Sequence, residues 1–187
     1  MISVIIATKD SERPLLASLA ALVPAAVEGV VGEVIVVDGG SRDDTATVAD
    51  AAGCKFVTVE GPLGPRLKAG AAAARGPWLL FVRPGTLLDA PWAEAARRFA
   101  ARSGHGERAA VFRSGAAQST LREAILLLAS LLRPWPRPEQ GLLIAKPFYD
   151  SLGGHSDRAA DAEADLLRRI GRRRIATLPP AVHRADT

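Results

Sequence analysis

The stretch EVIVVDGGSRDDT, residues 33–45, carries the clearest fold signal in the chain. Its apolar residues Val34–Val37 are all branched at the β-carbon, and no polar residue interrupts them. Such a run predicts a strand that is buried on both faces, as in a parallel sheet covered by helices. The two glycines that follow allow a sharp turn, after which Ser41 or Asp43 is suited to cap a helix that begins near Asp44.

Asp38 ends this strand and therefore lies at the carboxyl end of a central strand of the predicted sheet. Ligands of open α/β sheets bind outside these ends, which makes the Asp38 carboxylate a candidate binding group. The same carboxylate is also suited to cap the following helix, which is a purely structural role. The stretch alone leaves both interpretations open.

The first half of the chain alternates strands with helices. Strands are predicted at 2–7, 33–37, 55–59 and 78–82, and helices at 14–22, 44–52 and 66–74. This order predicts an α/β fold with a doubly wound, mostly parallel sheet and helices on both faces. Right-handed crossovers bring the four strand ends to one edge of the sheet. The residues at those ends are Thr8, Asp38, Glu60 and Arg83.

The second half is less regular, and no linker separates it from the first, so a single domain is predicted. Helices are predicted at 91–101, 119–132, 147–152 and 159–169, and strands at 109–112, 142–145 and 175–178. The apolar run Ala124–Leu132 is too short to span a membrane, which takes about 20 residues. It forms either core structure or, together with Trp135, a peripheral membrane contact.

Composition narrows the functional class. The chain has 187 residues, of which 48% are hydrophobic, enough for one domain with its own core. A net charge of +4 is too small to indicate a nucleic-acid partner. The single cysteine, Cys54, excludes an internal disulfide and fits a reducing compartment. Met1 leads directly into the first strand with no signal-peptide pattern, so we expect a cytoplasmic protein.

Four blocks of the sequence resemble the family-two glycosyltransferases of GT-A fold. They are ISVIIATKD, EVIVVDGGSRDDT, GPRLKAGAAAARGPWLLFV, and EQGLLIAKPFYDSLGGHSD followed by DAEADLLRRI. The blocks stand in the order and at the spacing of the family and cover nearly all of the chain. Within the family, the sequence resembles a short bacterial sub-group that is sometimes described alongside radical-SAM and selenium-domain proteins.

This resemblance implies a single GT-A-like domain, with residues 1–89 as a nucleotide-binding half and residues 90–187 as an acceptor-side half. It implies transfer of a sugar from a nucleotide-sugar, foremost a UDP-sugar, to an unknown acceptor with inversion at the anomeric carbon. Such a reaction needs a base for the acceptor's proton and positive charge for the departing diphosphate.

The sequence departs from the family at its metal-binding motif. Directly after the fourth strand the family has an acidic motif that coordinates Mn²⁺ or Mg²⁺, whereas this chain has RPGT, residues 83–86, with Gly85 in place of the aspartate. The nearest acid, Asp89, is either a displaced ligand for Mn²⁺ or Mg²⁺ or a cap for the helix near Pro91. We therefore predict no metal ligand at this position and little or no metal dependence. The same loss also suits a catalytically degenerate nucleotide- or sugar-binding protein.

Five residues are candidates for binding the nucleotide of such a donor. Asp38 and Thr8 would hold the nucleoside, while Arg66, Lys68 and Arg83 would bind the diphosphate, since both cation types suit phosphate. Lys68 stands where the family has an asparagine. Structural alternatives are an ordinary turn residue for Thr8 and simple exposure at a helix start for Arg66 and Lys68. Arg83 either replaces part of the metal's charge or marks a chain that has lost catalysis.

The base is sought among Asp161, Glu163 and Asp165, near the start of one predicted helix. A helix turns about 100° per residue, which places Glu163 on the same face as the apolar residues of 166–170. Asp161 and Asp165 fall on the opposite face, where Asp165 can pair with an arginine one turn later. Alignment with the family also places Glu163 on its catalytic aspartate. The structural alternative is that Glu163 only favours the helix N-terminus through the dipole.

Overall fold

The computed structural model describes residues 1–103, 106–114 and 135–184. Its strands are β1 (Ile2–Thr8), β2 (Val31–Asp38), β3 (Lys55–Thr58), β4 (Trp78–Val82), β5 (Thr86–Leu88), β6 (Ala109–Ser114), β7 (Leu142–Ala145) and β8 (Ile175–Arg184). Its helices are α1 (Glu12–Val27), α2 (Thr45–Ala51), α3 (Leu63–Ala73), α4 (Trp92–Ser103), α5 (Lys146–Ser151) and α6 (Ala162–Ile170). Single 3-10 turns lie at Pro138–Gln140 and Arg172–Arg174.

In the part of the chain that the structure describes, all strands join one eight-stranded sheet with the order β3-β2-β1-β4-β7-β6-β8-β5. Strands β1 to β4 are mutually parallel where they pair, and β6 is parallel to β8. Strand β7 runs antiparallel to both of its neighbours, and β5 runs antiparallel to β8. The predicted α/β fold with a mostly parallel, doubly wound sheet is confirmed.

The strand register brings the predicted ends together. Thr8 pairs with Asp38 across β1 and β2, and Ile6 pairs with Val82 across β1 and β4. Arg83, one residue past β4, therefore lies at the same edge as Thr8 and Asp38. The chain winds outward from β1 to β3 and then returns to place β4 on the other side of β1. Such a reversal of strand order opens the crevice in which α/β sheets bind ligands.

Apolar central strands hold this edge in place. The middle residues of β1 and β2, Val4–Ile6 and Ile35–Val37, are fully buried, as the run of branched residues predicts. Helix α3 covers one face so closely that a β-carbon on Gly70 would lie 2.6 Å from Ile5 and 2.9 Å from Val37. Burying each large apolar side chain contributes about 1.5–3 kcal/mol, so the core fixes the strand ends firmly.

Among the strands, β8 and β5 differ most from the prediction. Strand β8 was predicted to end at Leu178 but continues to Arg184, and it pairs with the short strand β5, which was not predicted. Pairing with β6 jumps from Leu178 to Ala181, so the two intervening prolines lie in an irregularity of the ladder. Proline lacks the N–H that a ladder needs, which explains why the sequence pattern stops there.

One predicted helix cannot be compared. The helix at 119–132, with its apolar run Ala124–Leu132, lies outside the described residues. Within the ranges that are described, no helix has both the length and the apolar character needed to cross a membrane. Trp135 is described, and 48% of its surface is exposed.

Candidate functional site

The turn after β2 is organised by the Asp38 carboxylate. Its Oδ2 accepts hydrogen bonds from the backbone N–H groups of Gly40 and Ser41 at 2.9 and 2.7 Å. Its Oδ1 accepts the hydroxyl groups of Thr8 and Ser41. A carboxylate has about four acceptor positions, so these donors engage the group fully. Asp38 therefore builds the turn, whereas helix α2 itself begins after Asp44.

These hydrogen bonds also set the charge of Asp38, which is buried at 4% exposure. Burial raises the pKa of Asp38, but the bonds from Ser41, Thr8 and Gly40 favour the charged form, and the net effect lowers the pKa below its ordinary value. The turn therefore favours the ionised form of this carboxylate. Asp43 has a similar role nearby, since it accepts the backbone N–H groups of Glu12 and Thr45.

Arg66 lies beneath this turn. Its Nη1 donates to the Thr8 carbonyl oxygen at 2.9 Å, and the same oxygen accepts the N–H of Gly39. A β-carbon on Gly39 would lie 2.7 Å from Arg66 Nη1, so the guanidinium fits only because residue 39 is glycine. Arg66 Nε is buried and has no partner in the structure, which leaves one N–H of this cation unused.

A second cluster lies at the end of β4 and is made of Arg83, Glu163 and Glu139. Arg83 Nε and Nη2 both donate to Glu163 Oε2, at 3.0 and 2.5 Å, and Nη1 donates to Glu139 Oε1 at 3.0 Å. The side chain of Glu163 is 12% exposed, that of Arg83 is 35% exposed and that of Glu139 is 54% exposed. Glu163 Oε1 is outside this ion pair. We call these three residues the ion-pair cluster.

Glu163 differs from the two neighbouring acids as the helical wheel predicts. Asp161 is exposed and caps α6 by accepting the N–H of Ala164 at 2.9 Å. Asp165 pairs with Arg169 one turn later at 2.8 Å. Burial raises the pKa of Glu163, and although Arg83 lowers it, the net pKa lies above the ordinary value of a glutamate. Glu163 is thus a nearly buried carboxylate with a raised pKa at the sheet edge.

Two cavities adjoin Glu163 and α6. A cavity of about 10 Å³, room for a single water molecule, is lined by Phe81, Arg137, Pro138, Leu142, His155, Glu163 and Leu167. An open cleft of about 550 Å³ lies between α3 and α6 and is lined by Lys68, Arg158, Arg169, Asp157, Asp165 and the turn 153–156. The cleft has the volume of a small-molecule site, but its cations are largely matched by acids.

His155 borders both cavities and is neutral. Its Nδ1 lies 2.9 Å from the Tyr149 hydroxyl, which also accepts the backbone N–H of His155. Burial lowers the pKa of His155 to about 3 and raises the pKa of Tyr149 to about 12. This pair fixes the turn between α5 and α6.

Lys68 is separate from the other predicted diphosphate ligands. Its Nζ lies 3.3 Å from Asp157 in the open cleft, and both side chains are about half exposed. It is two residues from Arg66 on α3, a spacing that turns two helical side chains about 200° apart. Arg66 bonds the Thr8 carbonyl, so the structure brings Thr8, Asp38 and Arg66 together and places Lys68 at the open cleft with Asp157.

The residues after β4 do not suit a metal ion. Gly85 has a φ of 84°, a left-handed conformation that disfavours an aspartate, and its N–H bonds the Pro14 carbonyl. The Asp89 carboxylate lies 3.0 Å from His183 Nε2, while the helix cap at Trp92 is made by the Asp89 carbonyl. Among the described residues, no group of three or more acidic, histidine or cysteine side chains could hold a metal ion.

Sequence reasoning missed Glu139 and Arg137 as site residues. They lie just before β7, and β7 is antiparallel to β4 with Leu142 opposite Phe81. This pairing carries the preceding turn past the end of β4, next to Arg83. The proline-rich segment 134–138 predicts a rigid loop, but nothing in its sequence shows the inserted antiparallel strand that positions it.

Comparisons with known proteins agree with this architecture. Residues 3–82 match the model of the family described as Glycosyl transferase family 2. Glucosyl-3-phosphoglycerate synthase from Mycobacterium tuberculosis, in complex with Mn²⁺, UDP and glucosyl-3-phosphoglycerate, is 23% identical, with a TM-score of 0.67 over all of this chain and 72% of its own. TarS from S. aureus is 19% identical, with a TM-score of 0.69 over 95% of this chain and 57% of its own. The fold is GT-A.

The family match and the GT-A likeness differ in extent. Comparison with curated protein sequences gave no match. The family match covers β1 to β4 and includes Thr8, Asp38 and Arg66. Glu139 and Glu163 lie beyond it, in the half that only the structural likeness covers. The GT-A fold is therefore shown for the whole described chain, while the residues of the ion-pair cluster are argued from their own geometry.

Proposed function

We propose that this protein is a glycosyltransferase that moves a sugar from a UDP-sugar to an acceptor hydroxyl. The observation that carries the proposal is Glu163, a nearly buried carboxylate with a raised pKa, held beside Arg83 at the strand edge where α/β sheets bind ligands. Base and phosphate-binding cation thus stand next to each other. The match of residues 3–82 to the glycosyltransferase family and the UDP in the similar M. tuberculosis enzyme support the choice of donor.

The two halves of the chain bind different substrates. Residues 1–89 bind the nucleotide, and residues 90–187 bind the acceptor and supply the base. Thr8 and Asp38 contact the nucleoside, and Asp38 does so by exchanging the partly exposed Ser41 hydroxyl for a nucleoside N–H or hydroxyl. A nucleotide-sugar donor and a single free cysteine both fit a cytoplasmic location.

Positive charge for the diphosphate comes from Arg66 and Arg83. The unused Nε–H of Arg66 lies beneath the turn after β2, where it suits a phosphate oxygen. Lys68 contributes more weakly, because it must first leave its exposed pair with Asp157.

The reaction is a single displacement. The acceptor oxygen forms a bond to the anomeric carbon while the bond from that carbon to the diphosphate oxygen breaks, so the configuration inverts. The acceptor's proton passes to Oε1 of Glu163, the oxygen that Arg83 does not hold. Arg83 and Arg66 stabilise the negative charge that develops on the leaving diphosphate.

We further propose that the reaction needs little or no divalent metal. The M. tuberculosis enzyme has been crystallised with Mn²⁺ or Mg²⁺ and UDP. In this chain, Gly85 offers no ligand where the acidic motif would stand, and Asp89 is engaged with His183. A guanidinium, in contrast, stands next to that position and can interact with a diphosphate without an ion between them.

A second candidate is a nucleotide- or sugar-binding protein of the same fold without transferase activity. The Arg83–Glu163 ion pair favours it, because one contact neutralises both the proposed base and the proposed phosphate ligand. For a transferase, a peripheral membrane contact through the exposed Trp135 would suit a lipid-linked acceptor.

Calorimetric titration with UDP and GDP, each with and without Mn²⁺, tests the proposal. We expect UDP to bind and Mn²⁺ to change its affinity by less than about tenfold, since Gly85 replaces the acidic ligand after β4 and the described residues contain no group of three or more ligands for the ion. Absence of binding by both nucleotides would overturn the proposal. A donor complex with Mn²⁺ held by Asp89, or activity that a chelator abolishes and metal restores, would overturn its metal-independent part.

Release of UDP from a UDP-sugar then separates the two candidates. A transferase releases UDP slowly with water as the acceptor and faster with a suitable sugar or phosphorylated acceptor, whereas a binding protein releases none. The Glu163→Gln variant serves as the matched control, because it keeps the side-chain shape and removes the base.

A further inference from the structure

We propose that Arg83 couples donor binding to the base: the diphosphate competes with Glu163 for Arg83, so that Glu163 is released to act as a base only when the donor is bound. This inference rests on the proposed function, because it requires a diphosphate at the end of β4. It assigns to Arg83 and Glu163 a joint role that neither of them has alone, and it adds Glu139 as a positioning residue.

More carboxylates surround Arg83 than its single positive charge can neutralise. All three nitrogens of the Arg83 guanidinium donate to carboxylates, two to Glu163 and one to Glu139. Asp161 adds a third negative charge that acts on both Arg83 and Glu163. One positive charge therefore faces three carboxylates. A further anion can join this group only if Arg83 turns toward it or if one carboxylate takes up a proton.

Glu163 is the carboxylate whose pKa changes most when Arg83 turns away. It is 12% exposed, whereas Glu139 is 54% exposed and can be rehydrated by solvent when Arg83 moves. The charged and titratable groups that face Glu163 are Arg83, Arg137, Glu139, Asp161 and His155. His155 is neutral above about pH 3 and cannot compensate for the loss of Arg83. Removing Arg83 from Glu163 therefore raises the pKa of Glu163 further, toward the range of a useful base.

The coupling is reciprocal, as linkage requires. If a diphosphate raises the pKa of Glu163, then protonation of Glu163 must strengthen diphosphate binding. The sign follows from charge: the affinity for UDP rises as the pH falls through the pKa of Glu163, and binding near that pH takes up a fraction of a proton from the buffer. At higher pH Glu163 stays ionised in the donor complex and can act as the base. A residue that only supports the fold would not produce proton uptake on nucleotide binding.

The same logic predicts the effect of neutral substitutions. Glu163→Gln removes the competing charge and leaves Arg83 to the diphosphate, so this variant should bind UDP more tightly than the parent protein. We expect a gain of about fivefold, the low end for coupled sites, because Arg83 is 35% exposed and solvent screens its interactions. Glu139→Gln should give a smaller gain, and Arg83→Gln should lose affinity together with its pH dependence.

Calorimetry with UDP in buffers of different ionisation enthalpy measures both quantities at once. Glu94→Gln is the matched control, since Glu94 pairs with Arg97 and Arg98 on α4 in the same two-sided way but lies outside the cluster. The expected result is proton uptake in the parent protein and the Glu94→Gln control, and tighter binding without proton uptake in Glu163→Gln.

Two results overturn the inference, and they differ in what else they overturn. If UDP binds but takes up no protons, and Glu163→Gln binds it no more tightly than the parent, the coupling is wrong while the proposed function stands. If UDP does not bind to the parent protein, to Glu139→Gln or to Glu163→Gln, the proposed function is wrong and the coupling fails with it. Retained thermal stability of each variant shows that the comparison is between folded proteins.

Discussion

The turn after β2 and the end of β4 lie at the same edge of the sheet, yet their carboxylates are used in opposite ways. Asp38 accepts three hydrogen bonds from its own turn and one from Thr8 at the end of β1, and its pKa is lowered. Glu163 is held by one arginine, keeps an oxygen outside that contact, and has a raised pKa. Hydrogen bonds from neutral donors favour the charged form of a carboxylate and lower its pKa. Burial disfavours the charged form and raises the pKa, which makes the carboxylate easier to protonate. The first region is a rigid platform, and under the proposed function the second is the reactive part.

The largest effect should come from removing the reactive carboxylate. Glu163→Gln should reduce the rate of sugar transfer by roughly 10²-fold or more, because the acceptor's proton then has no base, while UDP binding is retained. Steady-state UDP release from a UDP-sugar measures the rate. Full activity in Glu163→Gln, with loss in Asp161→Asn or Asp165→Asn, would show that the base is a different carboxylate.

Removing the platform carboxylate should affect binding and stability together. Asp38→Ala leaves buried N–H and hydroxyl groups without their charged acceptor, which should cost roughly 1.5–3 kcal/mol in UDP affinity and lower the free energy of unfolding. Calorimetry and urea unfolding measure the two quantities. A folded variant that binds every nucleoside diphosphate as well as the parent would remove Asp38 from the site and leave it a turn residue.

The two cations of α3, Arg66 and Lys68, should contribute unequally to the affinity for UDP. Arg66→Gln should weaken UDP binding by about tenfold, within the range for a hydrogen bond to a charged group. Lys68→Gln should weaken it by less than about threefold, because Lys68 is exposed and paired with Asp157. Parallel calorimetric titrations give the ratio. A larger effect at Lys68 would place the diphosphate in the open cleft and away from the turn.

The smallest effect concerns stability in acid. A carboxylate whose pKa is lowered in the folded state contributes stability above its unfolded pKa, and that contribution disappears as the pH falls through the folded pKa. The free energy of unfolding should therefore fall more steeply below about pH 4 in the parent than in Asp38→Asn. Urea unfolding from about pH 6 to about pH 2 tests this. Parallel curves for the two proteins would mean that the hydrogen bonds do not favour ionisation.

The sequence predicted the first region better than the second, for a physical reason. Strands β1, β2 and β4 are parallel, so local patterns and crossover handedness alone predict the positions of Thr8 and Asp38 in the first region and of Arg83 in the second. The helical wheel likewise predicted the burial of Glu163. Glu139 was missed because its position depends on β7, a strand inserted antiparallel between β4 and β6. Such long-range pairing leaves no local signal in the sequence.

Position-by-position reasoning was also incomplete for Asp89 and Lys68. The sequence allowed Asp89 to be a metal ligand or a helix cap, but its carboxylate meets His183, a residue 94 positions later. Lys68 and Arg66 are neighbours in the sequence, and the turn of the helix separates them. In both cases the partner is set by tertiary packing, which propensities do not encode.

The order of the strands also bears on how this chain meets other chains. The two outermost strands of the described sheet, β3 and β5, have only four and three residues, whereas the inner strands β2 and β8 have eight and ten. An exposed strand edge is a template for pairing with a second molecule, and short edges limit the number of hydrogen bonds that such pairing can form. The sheet thus ends in two margins that resist edge-to-edge aggregation, and we expect any self-association to involve helix surfaces.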